Sequence, residues 1–316
     1  MYYPSSANPF FINMNKLYQV FLSLVMVVVL TLFSLTTEAL ALNQDKSKEF
    51  FKLGVAELES NQYTKAIENF NQAIDINVNY TVAYYNRCLA YLDLSDYQHA
   101  IADCNTAIEQ NPELFEAYLN RGVAYYNLQL PAAAIADFNY FLATFPSDYR
   151  AYYDRGLAYF DQKKYQKAIK DYKQALVLIN QTNIDEIATI YNNRGLTYLQ
   201  LRELDLAIAD FSQAISFNAE DAIFYCNRGN AYRQQKKYKQ AIDDYSESIQ
   251  RNRNQGRAYV GRGFAYYKNG QQQQAWEDLI QAAEYFRNRG QMQKFHQILY
   301  LIRILRQNST FASQIA

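Results

Sequence analysis

This chain is poor in the residues that build chemical sites. Its 316 residues include two histidines, His99 and His296, and three cysteines, Cys88, Cys104 and Cys226. No histidine–cysteine spacing suits a metal, no glycine-rich loop could cradle a phosphate, and no strand-borne nucleophile motif occurs. The expectation is a protein that is not an enzyme and carries no cofactor. Three cysteines are too few for a disulfide scaffold. Net charge is missing as well: 31 basic and 31 acidic side chains cancel, which argues against a nucleic-acid partner.

What the chain has instead is repetition. The stretch Ala222–Arg253 contains Tyr225-x-Asn227-Arg228-Gly229-x-Ala231-Tyr232, then Tyr238, Ala241 and Tyr245, and a 34-residue shift brings the same pattern back. Anchored on a small residue, the copies fall at Gly54, Cys88, Gly122, Gly156, Gly195, Gly229 and Gly263, with steps of 34, 34, 34, 39, 34 and 34. An alanine follows each anchor by twelve positions (Ala66, Ala100, Ala134, Ala168, Ala207, Ala241, Ala275), and an aromatic precedes each by four. Sixteen positions after the anchor stands a large apolar residue in every copy except the second, which has Cys104.

The spacing predicts two helices per copy. Tyr225, Gly229 and Tyr232 share one helical face, and Ala241, Tyr245 and Ser248 share another beyond the polar break Gln235-Lys236-Lys237. A small residue on each helix lets the backbones approach. One pair cannot bury both of its faces, so each copy must lean on the next.

With the anchor, the tyrosine three residues later, the recurrent alanine, and Pro112 and Pro146 closing two copies, the chain resembles the tetratricopeptide repeat family. The resemblance implies an all-α fold, a right-handed α-solenoid of seven helix–turn–helix repeats. They span 45–286, at about 47–80, 81–114, 115–148, 149–187, 188–221, 222–255 and 256–286. It also implies a scaffold that binds another protein, as an extended peptide or a partner helix, on a concave face lined by the first helices. The alternative is a holdase for exported or unfolded clients.

Two positions beside the anchor stand out. Two residues before it are Asn86, Asn120, Asp154, Asn193 and Asn227, and the family resemblance implies that such residues grip a peptide backbone. An amide offers the donor and acceptor that a peptide bond needs; the competing reading is that these amides bond neighbouring helices. Helical offset adds Tyr85, Tyr126, Tyr153 and Phe160 to the same groove, with Arg233 and Arg257 making its far end basic. One residue before the anchor, arginine occurs in copies two to seven, as Arg121 and Arg228 do. Aspartate occurs fifteen after the anchor in the same copies, as Asp137 and Asp244 do. Copy one lacks both, with Leu53 and Asn69, which predicts a structural ion pair between the helices of a copy.

Outside the repeats, residues 17–35 form an apolar run after Lys16, and Ala39-Leu40-Ala41 follows as a small-residue exit. Residues 1–41 therefore read as a signal peptide cleaved after Ala41, or as an N-terminal membrane anchor through 17–35. Either places the repeats in a periplasmic or other extracytoplasmic space, with membrane contact through this segment. Residues 287–316 read as a capping helix, with Phe295, Ile298, Leu299, Ile302 and Leu305 on one face, followed by a frayed tail from 308. The five extra residues within 177–188 should lengthen the second helix of copy four or bulge its loop. Cys88 and Cys104 both point inward and are read as packing residues, a bridge being the less favoured alternative.

Overall fold

The computed structural model describes the backbone of residues 9–315. The side chains of residues 9–13, 15, 35, 38–41 and 308–315 lie outside the described residues, and with them the expected exit Ala39-Leu40-Ala41. All fifteen elements among the described residues are helices. In chain order they are α1 (Pro9–Glu59), α2 (Tyr63–Ile76), α3 (Thr81–Asp93), α4 (Tyr97–Gln110), α5 (Phe115–Asn127), α6 (Pro131–Thr144), α7 (Tyr149–Asp161) and α8 (Tyr165–Leu178). They continue as α9 (Ile184–Gln200), α10 (Leu204–Phe217), α11 (Ala222–Gln234), α12 (Tyr238–Arg251), α13 (Gly256–Lys268), α14 (Gln272–Asn288) and α15 (Met292–Ile315). The chain divides into two compact units, one up to Ala124 and one from Tyr125. Within each unit, consecutive helices pair and the pairs stack, the packing of a tetratricopeptide solenoid.

Every turn inside a pair closes in the same way. Asn61, Ser95, Gln129, Lys163, Arg202, Lys236 and Gly270, each seven residues after an anchor, have φ between 59° and 83°. The amide of each bonds back three residues and the next amide bonds back five, as in Lys236 N to Arg233 O and Lys237 N to Tyr232 O. This is the Schellman closure, which satisfies carbonyls that a helix end leaves open. Six of the seven left-handed residues carry a side chain.

The anchor glycines admit large rings. A Cβ on Gly156 would lie 2.7 Å from the Tyr172 ring, on Gly195 2.8 Å from Phe211, and on Gly54 2.6 Å from Phe70. The space beside the small anchor is filled by the aromatic sixteen positions later in these copies, and in copy seven by Leu279 with the Ala275 carbonyl close by. Each recurrent alanine is fully buried beside it. Copy two fills this place differently: Cys88 and Cys104, both fully buried, form a disulfide with Cα atoms 5.6 Å apart. A pair of plain packing thiols is therefore not what the structure shows. Two short side chains facing each other across two helices come within bridging range.

The five extra residues fall only partly where expected: the loop takes one of them, and the second helix of copy four takes none. Helix α8 has the ordinary 14 residues, while α9 has 17 where the first helices of copies two to four, six and seven have 13. One residue lengthens the loop and four extend α9 at its start. The loop difference has a local cause. Asn77, Asn111, Asn218 and Asn252 end their helices and accept an amide two residues on. In copy four Ile179 holds that place and Asn180 makes the Asx turn one residue later. The added helical turn is packed, since Ile179 and Ile187 are buried against Tyr172.

At the C-terminal end, Ile298, Ile302 and Leu305 of α15 bury against Leu279, Ala282, Ala283 and Phe286 of α14. This covers the apolar face that the last repeat would otherwise expose. Leu299, expected on that face, is 43% exposed. The backbone of α15 stays helical to Ile315, where a frayed tail was expected from 308.

Candidate functional site

The first helices carry two ladders of opposite character. In the outer one, the arginine before each anchor donates through Nε and Nη2 to the two oxygens of its aspartate at 2.7–2.9 Å. The pairs are Arg87–Asp103, Arg155–Asp171, Arg194–Asp210, Arg228–Asp244 and Arg262–Asp278. Each guanidinium lies over the tyrosine three residues earlier, 5.2–5.8 Å from its centroid, as Arg121 does over Tyr118. Its remaining nitrogen, Nη1, reaches back to the preceding copy. Arg87 meets Asn71, Arg121 meets Asn105, Arg155 meets Asn139, Arg228 meets Ser212 and Arg262 meets Ser246, at 2.5–3.1 Å. The sequence carries the signal for this link, a small polar residue seventeen after the anchor, but pattern reading passed over it. In copy one, without the pair, Asn69 Nδ2 donates to Glu57 at 2.8 Å. These groups are engaged in holding helices together.

The inner ladder is uneven. In the first unit, Asn86 donates to the Val82 carbonyl of its own helix at 2.7 Å, and Asn120 is half-buried with no hydrogen bond among the described residues. Tyr85 packs beside the Cys88–Cys104 cluster. In the second unit the amides form a relay across three helices. Asn227 Nδ2 donates to Asn192 Oδ1 at 2.8 Å, and Asn193 Nδ2 donates to the Tyr153 hydroxyl at 2.9 Å. The ladder thus bonds neighbouring helices through its donors, while carbonyl oxygens such as Asn227 Oδ1 keep acceptor capacity. Burial, together with the Asp161 charge, pushes the Tyr126 hydroxyl up to about 12, and burial pushes Tyr153 up to about 12. Phe160 meets the Tyr165 ring edge-on at 5.7 Å and belongs to the packed cluster of its copy.

The second unit contains a cleft of about 830 Å³. Helices α9, α11 and α13 form its floor, and α14 and α15 close one end. Leu196, Leu199, Val260 and Phe264 supply apolar surface; Asn227, Asn230 and Gln255 supply amides; Arg233, Arg257 and Lys294 supply positive charge. Among the described residues, no carboxylate lines it. Arg233 is held by Asn230 Oδ1 at 2.7 Å and lies over Phe264, so its charge is oriented before any ligand arrives. Gly261 explains why the amide ladder stops in copy seven: a Cβ there would sit 2.4 Å from the Tyr245 ring, which enters the cleft at this point. Burial raises the Cys226 thiol to about 11, so it stays protonated and unreactive in ordinary conditions. Of the expected groove residues, Asn227, Arg233 and Arg257 line this cleft. Tyr153 and Asp154 line a separate pocket nearer α7. The polar loop residues Asn252 and Asn254 and the cap residues Gln291 and Lys294 were not legible as lining, because nothing in the repeat pattern fixes how the closing elements fold back.

No group of three or more histidine, cysteine, aspartate or glutamate side chains that could hold a metal occurs among the described residues. No curated protein matches the chain by sequence. Among solved structures, a tetratricopeptide repeat protein from Parabacteroides merdae aligns with TM-score 0.62 at 18% identity, over 80% of this chain and 98% of that one. The Cut9–Hcn1 hetero-tetramer of the APC/C aligns with TM-score 0.60 at 21% identity, over 74% of this chain; this chain spans 45% of that one. YrrB, described as having an unusual peptide-binding site, aligns with TM-score 0.51 at 19% identity, over 63% and 97%. At these identities the likeness speaks for the fold. Profiles of the tetratricopeptide repeat match residues 81–114, 188–221 and 222–255, a second repeat profile matches 119–183, and a third matches 54–95. With seven in-register helix pairs and these matches, the chain belongs to the tetratricopeptide repeat family, whose members mediate contacts between proteins.

Proposed function

We propose that this protein is a non-catalytic scaffold that holds an extended, acidic segment of a partner protein in the cleft formed by α9, α11, α13, α14 and α15. The observation that carries this reading is the cleft's composition: apolar floor, amides along one side and, among the described residues, three cations and no carboxylate. A peptide backbone finds acceptors and donors in the amides, and acidic side chains meet Arg233, Arg257 and Lys294 without a competing internal charge. The repeats are placed outside the cytoplasm. Supporting this are the exposed apolar segment Lys16–Ser34 within α1 and the Cys88–Cys104 bridge, which persists in oxidising compartments.

The test is photocrosslinking in intact cells from two positions of the second unit. A photoreactive residue at Val260, in the cleft, should form adducts that map to an Asp/Glu-rich segment of one partner. The same residue at Val177, which is 77% exposed on α8, should not. Charge reversal by Arg233→Glu with Arg257→Glu should remove the Val260 adducts while leaving the helical spectrum unchanged. Equal adducts from both positions would sink the assignment. Adducts to many unrelated unfolded clients would favour the holdase reading instead.

A further inference from the structure

The chain departs from its own pattern twice, and both departures meet at one place. Copy four alone has aspartate, Asp154, where copies two, three, five and six have asparagine. The junction after copy four alone exceeds 34 residues, and its added turn of α9 carries Asp185 and Glu186. The structure brings these together in a pocket of about 480 Å³ lined by Tyr149, Arg150, Tyr153, Asp154, Asp185, Glu186, Thr189 and Ile190.

The charges there do not cancel internally. Arg150 is the one cation of the lining, and its guanidinium is gripped by Asp148 at 2.6–3.2 Å, just before α7. Asp185 accepts from Asn218 at 2.9 Å, a neutral donor. Asp154 is ringed by protein yet keeps part of its surface open, and no hydrogen bond reaches its carboxylate from the described residues. The Tyr153 hydroxyl beside it accepts from Asn193. Burial raises the Asp154 carboxyl to about 7, partly countered by Arg150 and reinforced by Asp148. An asparagine, as in copies two, three, five and six, would relieve this cost. The carboxylates are also too dispersed for a metal site. A larger cation, with hydrogen-bond donors and a flat or aliphatic stem to lie against Tyr149, Tyr153 and Ile190, fits the geometry.

We infer that the pocket between α7 and α9 receives a lysine or arginine side chain, supplied by the same segment that occupies the neighbouring cleft. This rests on the proposed peptide-binding reading for its source, though not for its chemistry. The second unit thereby reads a bound segment at two points of opposite sign: a cation at α7/α9 and carboxylates at α11/α13. Two such points fix which way round the segment lies.

The pocket is tested without any peptide. Nα-acetyl-arginine methylamide and its neutral analogue Nα-acetyl-citrulline methylamide are titrated against the full chain in non-ionic detergent, with saturation-transfer NMR as the readout. At pH 8 the arginine probe should bind about fivefold more tightly, the size of one modest ion pair. At pH 5.5 the preference should shrink as Asp154 takes up its proton. Asp154→Asn, the residue of copies two, three, five and six, should bring the two probes to parity, and Asp185→Asn with Glu186→Gln should lower the preference. Equal binding in the native chain, or a preference that survives Asp154→Asn, overturns the inference. Arg233→Glu with Arg257→Glu should leave the arginine preference intact, so loss of partner capture there and loss of cation selectivity here are separate results.

Discussion

Adjacent residues on the same helices have opposite histories in this chain. The position before each anchor is arginine in six copies, paired bidentately in Arg87, Arg155, Arg194, Arg228 and Arg262. The position before that changes from Asn86 to Asp154 to Gly261, and its partners change with it. Where the arginine ties the two helices of a copy, copies two to seven keep it. Where a side chain faces a cavity, the copies diverge. In a repeat protein, regularity marks what holds the stack together, and departures mark what the stack is for.

Breaking the regular ladder should cost most. Asp244→Ala leaves the guanidinium of Arg228 half-buried without its carboxylate, and denaturant unfolding should show a loss of about 3 kcal/mol, near the low end for a broken buried pair. If the loss is negligible, the outer ladder is solvated decoration. Next in size is the bridge of copy two. Reduction, or Cys88→Ser with Cys104→Ser, opens a loop with a sequence separation of 16, which should cost about 2–3 kcal/mol of stability. Thermal unfolding with and without reductant checks it.

The uneven ladder should respond with the opposite sign. Asp154 binds its proton more tightly in the folded chain, at about 7, than in the unfolded chain, at about 4. Between those values the native state holds the extra proton, so this residue lowers stability as pH rises through the window. Asp154→Asn should therefore stabilise by about 1–2 kcal/mol at pH 8 and have little effect at pH 4. A destabilising result at pH 8 would mean that Asp154 has a partner in the native state. The smallest effect belongs to the turns. Lys236→Gly removes a side chain from a left-handed residue, φ 62°, and should stabilise by about 0.5–1 kcal/mol.

Much of the architecture was readable because the 34-residue period repeats the same constraints seven times. The helix pairs, the buried alanines and the Arg–Asp ladder all rest on residues that recur. What escaped is what occurs once or depends on three dimensions. The extra loop residue follows from Ile179 displacing the Asx-turn asparagine by one, a detail of one loop, and the four residues that extend α9 occur in one copy alone. The Cys88–Cys104 bridge needs the inter-helix distance, which sequence spacing leaves open. The backward reach of Nη1 needs two copies in contact. For the amides of Asn193 and Asn227 the repeat pattern left peptide-gripping and helix-bonding roles open, because Asn192 and Tyr153, their partners, lie 35 and 40 positions away from the donors in sequence.

The backward link from each arginine is absent at one joint. Arg194 keeps Asp210, but the position it would reach in the preceding copy is Lys173, which offers no acceptor. The polar rivet between copies four and five is missing there, and apolar contacts through Ile179 and Ile187 stand in for it. The acidic pocket spans this same joint. A side chain seated against both α7 and α9 would act as the rivet that the protein left out, adding to the Asn193–Tyr153 and Asn183–Tyr149 bonds that already cross this joint.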